Sequence, residues 1–491
     1  MGNSLTKRKA HATADKKSRA SSTNLPETIN VAAEPVKSSC SFELVPEPIT
    51  EEKFEPEAAP ALMSGEETAL SVPHTDEDDK TASLFKVICL TGGPCGGKTS
   101  SLAILGDLFQ SLGWRVYRVP ETASILLSGG VVFSELNDDM SYSFQKSLLR
   151  TMMTIQNTFI DLARLSAKQG KKAIVICDRG AMDPSAYMPR EGWLRMLKEM
   201  NLDEAQIRDH RYDCVIHLVT AAKGAESFYT LGNNKERSEG LDLARNVDTL
   251  TMNAWLGHAS LQVIDNLSVT NFAQKCDRAV QAVLTRLGLV ADAERYGKHV
   301  RKHKFVVKNF SLEADFPVPY RDFDVEHVYL VNTAGDGMQI RIRRRQEVGG
   351  TEVHVSLTAR HPEVDGQRVE TRRNLRAREY EALRAQADPS RAIIKKKRRC
   401  FLYQDRYFQL DVYENPCTGL TLLETYLDFD FHTPTSPVSS EALNARLPPW
   451  LPQLEEVTND KKYSMFTLAE SEPLNKDLAK KLSRFDLHAD A

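Results

Sequence analysis

The sequence predicts an α/β domain with a doubly wound parallel sheet, followed by a second, α+β domain whose antiparallel strands enclose a barrel. Between residues 84 and 290, short apolar runs alternate with helical patterns, and strands separated by helices build parallel sheets. Between residues 300 and 472 the apolar residues alternate at period two in short segments rich in Arg and Val. Residues 1–83 are rich in Ser, Pro, Glu and Ala, so we expect a disordered arm there. Residues 473–491 form a tail.

Length and composition limit the function before any motif is considered. A chain of 491 residues has room for two or three domains, each with its own core. The net charge of -3 argues against a general affinity for nucleic acid. No run of about 18 apolar residues is present, which argues against a membrane span. The eight cysteines lack CxxC spacing, which predicts reduced thiols in a cytosolic protein without a zinc site.

The elements of the first domain follow from apolar periodicity. Strands are predicted over residues 85–90, 114–119, 172–177, 214–219 and 261–264, with helices ending near residue 112 and spanning about 142–169. The long helix carries apolar residues at helical spacing, which indicates a core-facing side. In a parallel sheet of this kind, ligands bind at the carboxyl ends of the strands.

The segment GGPCGGKT fits the spacing G-x-x-x-x-G-K-[ST] between a predicted strand and a predicted helix, which is the context of a phosphate-binding loop. Glycines let consecutive backbone N–H groups curl around a phosphate. Lys98 is expected to reach the outer phosphates and Thr99 to hold Mg²⁺. The alternative is a glycine-rich turn without a ligand. The predicted nucleotide-binding residues are Gly92, Gly93, Pro94, Cys95, Gly96, Gly97, Lys98, Thr99 and Ser100.

Acidic residues follow two of the predicted strands. The third strand ends in Asp178 and Arg179, and an acid at this position next to a phosphate-binding loop commonly orients Mg²⁺. Asp178 could instead cap a helix. The second strand ends at Glu121.

This arrangement resembles small-molecule kinases of the nucleoside kinase type. The resemblance implies that Glu121 is the general base and that Asp178 and Arg179 form the acid–arginine pair after the third strand. It also implies a lid with arginines for the transferring phosphate, for which Arg237 and Arg245 are the candidates. A surface carboxylate and solvated arginines are the alternatives. The pattern alone does not choose between GTP and ATP.

The second domain carries rows of cations on predicted strands. In GMQIRIRRRQ, period two places Arg341, Arg343 and Arg345 on one face. QRVETRRN adds Arg372, and IIKKKRRC adds Lys397 and Arg399. Such rows cannot face a dry core without a compensating anion, so they predict either a solvated outer face or a cationic interior that holds phosphates.

Here the chain resembles the CYTH, or triphosphate tunnel, domains. The matching segments are HKFVV, RIRRR, RVETRR, KKKRR, QLDVY and LLETYL. The combination of both domains resembles the TRPL translocation defect protein family, whose first domain is similar to bacterial ribosylnicotinamide kinase. The resemblance implies GTP at the loop and phosphatidylinositol 3-phosphate in the tunnel. The expected head-group residues are Lys304, Arg341, Arg343, Arg345, Arg372, Lys397 and Arg399.

The second domain departs from the triphosphatases of this group at the acids that hold metal. Their E-x-E-x-K strand corresponds to Val300, Lys302 and Lys304, so only the lysine remains. Their late E-x-E strand corresponds to Glu424 and Tyr426, which again lacks one acid. Loss of these carboxylates argues against hydrolysis through the usual metal and favours binding of an anionic head group.

The amino terminus, MGNSLT, fits the pattern M-G-x-x-x-[ST] for myristoylation of Gly2 and is followed by a basic cluster. One acyl chain and several basic residues together form a two-signal membrane anchor. An ordinary basic terminus is the alternative. We therefore expect a cytoplasmic, peripherally membrane-associated protein.

Two functions from different classes follow from these features. The favoured one is a regulatory protein of intracellular membrane protein trafficking that binds GTP with Mg²⁺ and a phosphoinositide. The alternative is a kinase that uses ATP and Mg²⁺ to phosphorylate a nucleoside or nicotinamide riboside. Hydrolysis of tripolyphosphate in the tunnel is the least favoured.

Overall fold

The computed structural model describes residues 84–132, 135–229, 240–267, 269–289, 300–332, 336–362, 370–428 and 446–470. The expectations for Gly2, for the basic arm and for Arg237 lie outside these residues. Among the helices that are described, none has the length and apolar composition needed to cross a bilayer.

The first domain alternates strands and helices along the chain. Its strands are β1 (Phe85–Thr91), β2 (Arg115–Val119), β3 (Ala173–Asp178), β4 (Cys214–Leu218) and β5 (Leu261–Ile264). Its helices are α1 (Lys98–Ser111), α2 (Thr122–Ser128), α3 (Asp138–Lys168), α4 (Arg190–Glu199), α5 (Glu204–Asp209), α6 (Leu241–Ala254) and α7 (Phe272–Arg286). Short 3₁₀ turns occupy Asp183–Tyr187 and Glu226–Phe228.

The five described strands of this domain form one parallel sheet in the order β2-β3-β1-β4-β5. Successive residues of β1 enter different cores, with Cys89 on one face and Ile88 and Leu90 on the other. Both faces are therefore covered by helices, as the continuous apolar runs predict. β1 lies at the centre of the sheet, so the loop after it opens at the carboxyl edge between β3 and β4.

The second domain is mostly β-structure. Its strands are β6 (Val300–Val307), β7 (Tyr320–Tyr329), β8 (Gln339–Glu347), β9 (Val353–Arg360), β10 (Glu370–Asn374), β11 (Ile394–Tyr403), β12 (Arg406–Asn415), β13 (Thr421–Asp428) and β14 (Leu454–Glu456). Its helices are α8 (Ala377–Arg384) and α9 (Met465–Leu468), with a 3₁₀ turn at Lys461–Tyr463.

In the described residues these strands form an antiparallel sheet in the order β10-β9-β8-β7-β11-β12-β13-β6-β14. Charged and apolar residues alternate on its strands, so that Phe305 and Leu423 enter an apolar core while Lys304 and Glu424 face a cavity. Arg372 of β10 also lines this cavity. β10 and β6 lie far apart in the strand order, yet Arg372 of β10 and Lys304 of β6 line the same cavity. The sheet therefore curls around the cavity. The predicted fold class, a parallel α/β sheet followed by a separate antiparallel domain, is confirmed.

A buried ion cluster joins the two domains and corrects the expected role of Arg345. Asp209, at the end of α5, accepts hydrogen bonds from Arg208 at 2.9 Å and from Arg345 of β8 at 3.3 Å. Arg345 also donates to the carbonyl of Gly257, and its guanidinium lies 3.5 Å from the centroid of the Phe323 ring. Arg345 thus lies on the same strand as Arg341 and Arg343 but outside the cavity. Its ion-pair partner is Asp209 of the first domain.

We expect Asp209→Asn to lower the free energy of unfolding by about 3–5 kcal/mol, because it leaves the buried guanidinium of Arg345 without a counter-charge and leaves Arg208 with Glu347 alone. Chemical denaturation of the full chain measures this change. The matched control is Asp161→Asn, which removes an exposed ion pair with Arg164 and is expected to cost less than about 1 kcal/mol. Equal losses in the two variants would contradict a stabilising role for the buried cluster.

Candidate functional site

The loop after β1 takes a tight course that requires glycine at two positions. A Cβ atom on Gly92 would lie 2.1 Å from the carbonyl oxygen of Leu218, and one on Gly96 would lie 2.4 Å from the same atom. Gly92 also has a φ of +135°, in the region that favours glycine. The glycines therefore let the loop pack against the end of β4. Helix α1 begins at Lys98, which directs a helix amino terminus at the loop.

Lys98 and the residues after it are held close to the loop. The Lys98 ammonium is buried and donates to the carbonyl oxygens of Gly93 at 2.9 Å and Gly92 at 3.2 Å. The Thr99 hydroxyl donates to Asp178 Oδ2 at 3.1 Å. The strand order thus brings the two residues predicted to hold Mg²⁺ into direct contact.

The chemistry of this pair fits a magnesium ion. Asp178 Oδ1 is buried and has no hydrogen-bond partner among the described residues. Burial raises the pKa of Asp178, while the nearby charge of Lys98 lowers it. An oxygen without a donor, beside a threonine hydroxyl, offers the hard ligands that Mg²⁺ prefers.

Glu121 and Arg179 form an ion pair at the edge of the loop. Arg179 Nε donates to Glu121 at 2.9 Å, and Arg179 Nη1 donates to the Gly92 carbonyl at 2.7 Å. Burial alone would raise the pKa of Glu121, but Arg179 and Lys98 outweigh it and lower the value to about 2. A carboxylate with so low a pKa accepts a proton weakly. In this structure Glu121 is therefore an ionised partner that holds the Arg179 guanidinium beside the loop.

Two further acids support the loop, and the sequence patterns did not single them out as site residues. Asp248 of α6 is buried, and its Oδ1 accepts from the N–H groups of Gly93 at 2.9 Å and Thr220 at 3.0 Å. Asp183 accepts from the Thr91 hydroxyl at 2.7 Å. Asp248 lies inside an ordinary helical pattern 155 residues from Gly93, so no local spacing marks it.

The lid arginine Arg245 lies on α6 with its guanidinium engaged locally. It donates to the carbonyl of Ala222 at 2.6 Å and pairs with Asp242 at 3.0 Å and Glu226 at 3.1 Å. A role in phosphate binding would require these contacts to be exchanged for the nucleotide. Arg237, the second candidate, belongs to the undescribed residues 230–239.

The second site is a cavity of about 900 Å³ inside the curled sheet of the second domain. Among the described residues that line it, lysines and arginines outnumber acids nine to three. The cations are Arg286, Lys302, Lys304, Arg341, Arg343, Arg360, Arg372, Arg398 and Lys461. Of the residues predicted to bind a head group, Lys304, Arg341, Arg343 and Arg372 line this cavity. We call it the cationic cavity.

The structure corrects the prediction of which side chains of strand β11 face the cavity. Lys397 is partly exposed and Arg399 forms a bidentate pair with Asp322, at 2.8 and 2.9 Å, so neither lines the cationic cavity. Arg398 lines the cavity instead, and Lys396 is buried beside Asp411 at 2.7 Å. Five consecutive cations occupy both faces of the strand. Period two alone therefore could not show which face turns inward.

Two of the three acids that line the cationic cavity are paired with cations. Glu424 lies 2.7 Å from Lys302 and 3.3 Å from Lys304. Glu370 accepts two hydrogen bonds from Arg360 at its Oε2 and two from Arg372 at its Oε1. No three His, Cys, Asp or Glu side chains of the described residues come together as a metal site.

Two arginines of the cavity have no acidic partner. In the described part of the chain, no carboxylate lies within ion-pair distance of Arg341 or Arg343. The Arg343 side chain contacts His354 at 3.4 Å, and its buried Nε lacks a hydrogen-bond partner. Burial and then the neighbouring arginines lower the pKa of Arg343 well below its usual range. The cavity therefore carries positive charge that the protein does not neutralise.

Comparison with known proteins supports a nucleotide-binding first domain. Residues 87–272 match the family model of an AAA domain. No curated protein matches the chain.

Three similar solved structures each correspond to about a third of the chain. An inorganic triphosphatase is 26% identical and covers 35% of this chain and 96% of its own, with a TM-score of 0.24. A protein of Pyrococcus horikoshii OT3 is 16% identical over 32% of this chain and 93% of its own, with a TM-score of 0.23. A third structure is a candidate adenylyl cyclase from Hippeastrum that is described as having a dominant triphosphatase activity. It is 10% identical and covers 31% of this chain and 98% of its own, with a TM-score of 0.21.

The Glu121–Arg179 pair predicts a pH-dependent contribution to stability. Because the folded protein lowers the pKa of Glu121 from 4.5 to about 2, the contribution is complete above pH 4.5 and disappears as the pH falls toward 2. The difference in unfolding free energy between the wild type and Glu121→Gln should therefore be constant from about pH 5 to 7 and shrink below about pH 4.5.

Chemical denaturation across this pH range measures the difference. Glu191→Gln, at an exposed position of α4, is the control and should show little difference at any pH. A Glu121→Gln difference that is as large near pH 3 as near pH 7 would rule out the ion pair as its source.

Proposed function

We propose that this chain is a GTP-binding and phosphoinositide-binding regulatory protein of intracellular membrane protein trafficking. One observation carries the proposal: Arg341 and Arg343 face a cavity in which no described carboxylate lies within ion-pair distance of either, while Glu370 is hydrogen-bonded to Arg360 and Arg372. A ligand with phosphate groups supplies the missing negative charge. The phosphate-binding loop provides a second, separate site for the nucleotide.

The contacts around the loop support nucleotide binding. The N–H groups before α1, the ammonium of Lys98 and the helix amino terminus offer positive charge to the phosphates. Thr99 and Asp178 would hold Mg²⁺, which neutralises charge on the bound phosphates. The choice of GTP over ATP rests on the resemblance to the TRPL translocation defect family. The position of Glu121 in an ion pair favours this regulatory function over phosphate transfer to a nucleoside.

The chemistry of the cationic cavity supports a phosphorylated head group. Arginine presents planar pairs of N–H donors that match phosphate oxygens, and Arg341, Arg343 and Arg372 lie together there. A volume of about 900 Å³ accommodates a small ligand. Lys302 and Tyr426 stand where a metal-dependent triphosphatase needs acids, and Glu424 is already paired with lysines. Binding without hydrolysis follows from this donor set, and the resemblance selects phosphatidylinositol 3-phosphate.

Location at a membrane is part of the proposal. Myristate on Gly2 and the basic cluster that follows would hold the protein at the cytoplasmic face of a bilayer. The cationic cavity would then select membranes by their head groups. Because the anchor and the cavity are far apart in sequence, the two contributions can be separated by experiment.

Vesicle co-sedimentation tests the cavity. The full chain made in bacteria carries no myristate, so its binding reports the head-group site and the basic cluster without the acyl chain. We expect binding to phosphatidylcholine vesicles that contain phosphatidylinositol 3-phosphate and little binding to vesicles that lack it. The double variant Arg341→Gln, Arg343→Gln should bind at least tenfold more weakly, because two charge-assisted contacts are lost.

Lys397→Gln is the matched control, since this cation lies on the same sheet but outside the cavity. It should bind as the wild type does. Myristoylated protein should gain binding to both kinds of vesicle. Indifference to phosphoinositide, or equal losses in the control and the double variant, would overturn the lipid function.

A further inference from the structure

Arg286 is a cation of the cationic cavity that comes from the first domain. It is the last residue of α7, and it lines the cavity together with strands of the second domain. Its Nη1 donates to the hydroxyl of Tyr426 at 3.2 Å, and its Nη2 donates to Gln262 at 3.2 Å. The guanidinium carbon lies 4.2 Å from the centroid of the Tyr426 ring. The wall of the cavity is therefore shared by the two domains.

Arg286 also lacks an acidic partner. Its hydrogen bonds go to a tyrosine and an amide, and no carboxylate of the described residues lies within ion-pair distance of it. Its partner Tyr426 occupies the position at which the late strand departs from the metal-binding E-x-E pattern. The cation is thus stacked on an aromatic ring and remains available for an anion.

The helix that carries Arg286, α7, is packed against the first domain at both ends. Its apolar face, which includes Ala279, Val283 and Leu284, is buried in a core of the first domain. At its other end, Phe272 lies against the phosphate-binding loop, where a Cβ atom on Gly97 would be 2.5 Å from its ring. A side chain at the end of such a helix is held near one position, so the entropy lost on binding an anion is small.

We propose that Arg286 is a further anion-binding arginine of the cationic cavity, acting with Arg341, Arg343 and Arg372. The ligand chemistry is a molecule with two or more phosphate groups, either a lipid head group or a free polyphosphate. This inference rests on the proposed function of the cavity and adds that the site is composite. The nucleotide-binding domain supplies a ligand contact that the second domain lacks on its own.

A purely structural role for Arg286 is the competing explanation. A cation in the last turn of a helix interacts favourably with the helix dipole, and the contact with Tyr426 packs the two domains together. In that case its removal would lower stability and would change anion binding through the packing of the cavity wall. The salt dependence of anion binding helps to separate the two roles, because a charge within about 10 Å of the bound anion contributes to it and apolar packing does not.

Calorimetric titration of the full chain tests the proposal with two probes, inorganic tripolyphosphate and inositol 1,3-bisphosphate. The first represents a free polyphosphate and the second a lipid head group. Arg286→Gln should weaken binding of the probe that the wild type prefers by roughly 10- to 100-fold. The ionic-strength dependence of that binding should become shallower. GTP affinity should stay within about twofold, because the loop contacts are unchanged.

Arg150→Gln, at an exposed position of α3, is the matched control and should bind the probes as the wild type does. Thermal unfolding without ligand shows whether each variant is folded. Arg286→Met retains the packing of the apolar stem on Tyr426 and replaces the glutamine variant if that one does not fold.

The outcomes separate this inference from the proposed function. If Arg286→Gln binds as the wild type does while Arg341→Gln loses affinity, the composite site is wrong and the function of the cavity stands. An unchanged salt dependence with weaker binding would also overturn the inference in favour of a structural role. If the wild type binds neither probe, the anion function of the cavity fails and the role of Arg286 fails with it.

Discussion

Uncompensated positive charge inside the second domain is the constraint on which the account depends. A guanidinium removed from water needs an anion, and the fold shows what happens when the protein supplies one. Arg345 is paired with Asp209, Arg399 with Asp322, and Arg398 with Asp411. Arg341 and Arg343, between these pairs on the same curled sheet, have no such partner among the described residues. This difference is the basis of the proposal that an anionic ligand supplies negative charge in the cavity.

The phosphate-binding loop follows the opposite principle, because its charges are satisfied within the first domain. Lys98 and Arg179 donate to carbonyl oxygens of the loop, and Asp248 accepts the N–H group of Gly93. These contacts hold the loop in shape and are of the kind that a phosphate can replace. Asp178 keeps one oxygen without a donor, beside Thr99, where a divalent cation fits. The phosphate-binding loop is thus ordered by hydrogen bonds within the first domain, whereas the cationic cavity contains arginines without an ion pair.

Local sequence patterns were sufficient for the fold class and for the loop, because both depend on spacing along the chain. The glycine spacing of the loop and the apolar strand that ends at Asp178 are two such local patterns. Patterns of period two were not sufficient for β11, since cations occupy both of its faces, and they placed Lys397 and Arg399 in the cavity. Arg345 lies on the predicted face but past the end of the cavity. Asp248 and Arg286 reach their sites through tertiary packing, which no local pattern encodes.

The most direct test of two separate phosphate sites is a crossed calorimetric titration of two variants of the full chain. Lys98→Ala removes the ammonium at the loop, and Arg341→Gln with Arg343→Gln removes the unpaired charge of the cavity. We expect the first variant to lose binding of GTP and keep binding of inositol 1,3-bisphosphate, and the second to show the reverse. Loss of both ligands in one folded variant, or retention of inositol 1,3-bisphosphate binding without Arg341 and Arg343, would contradict the account.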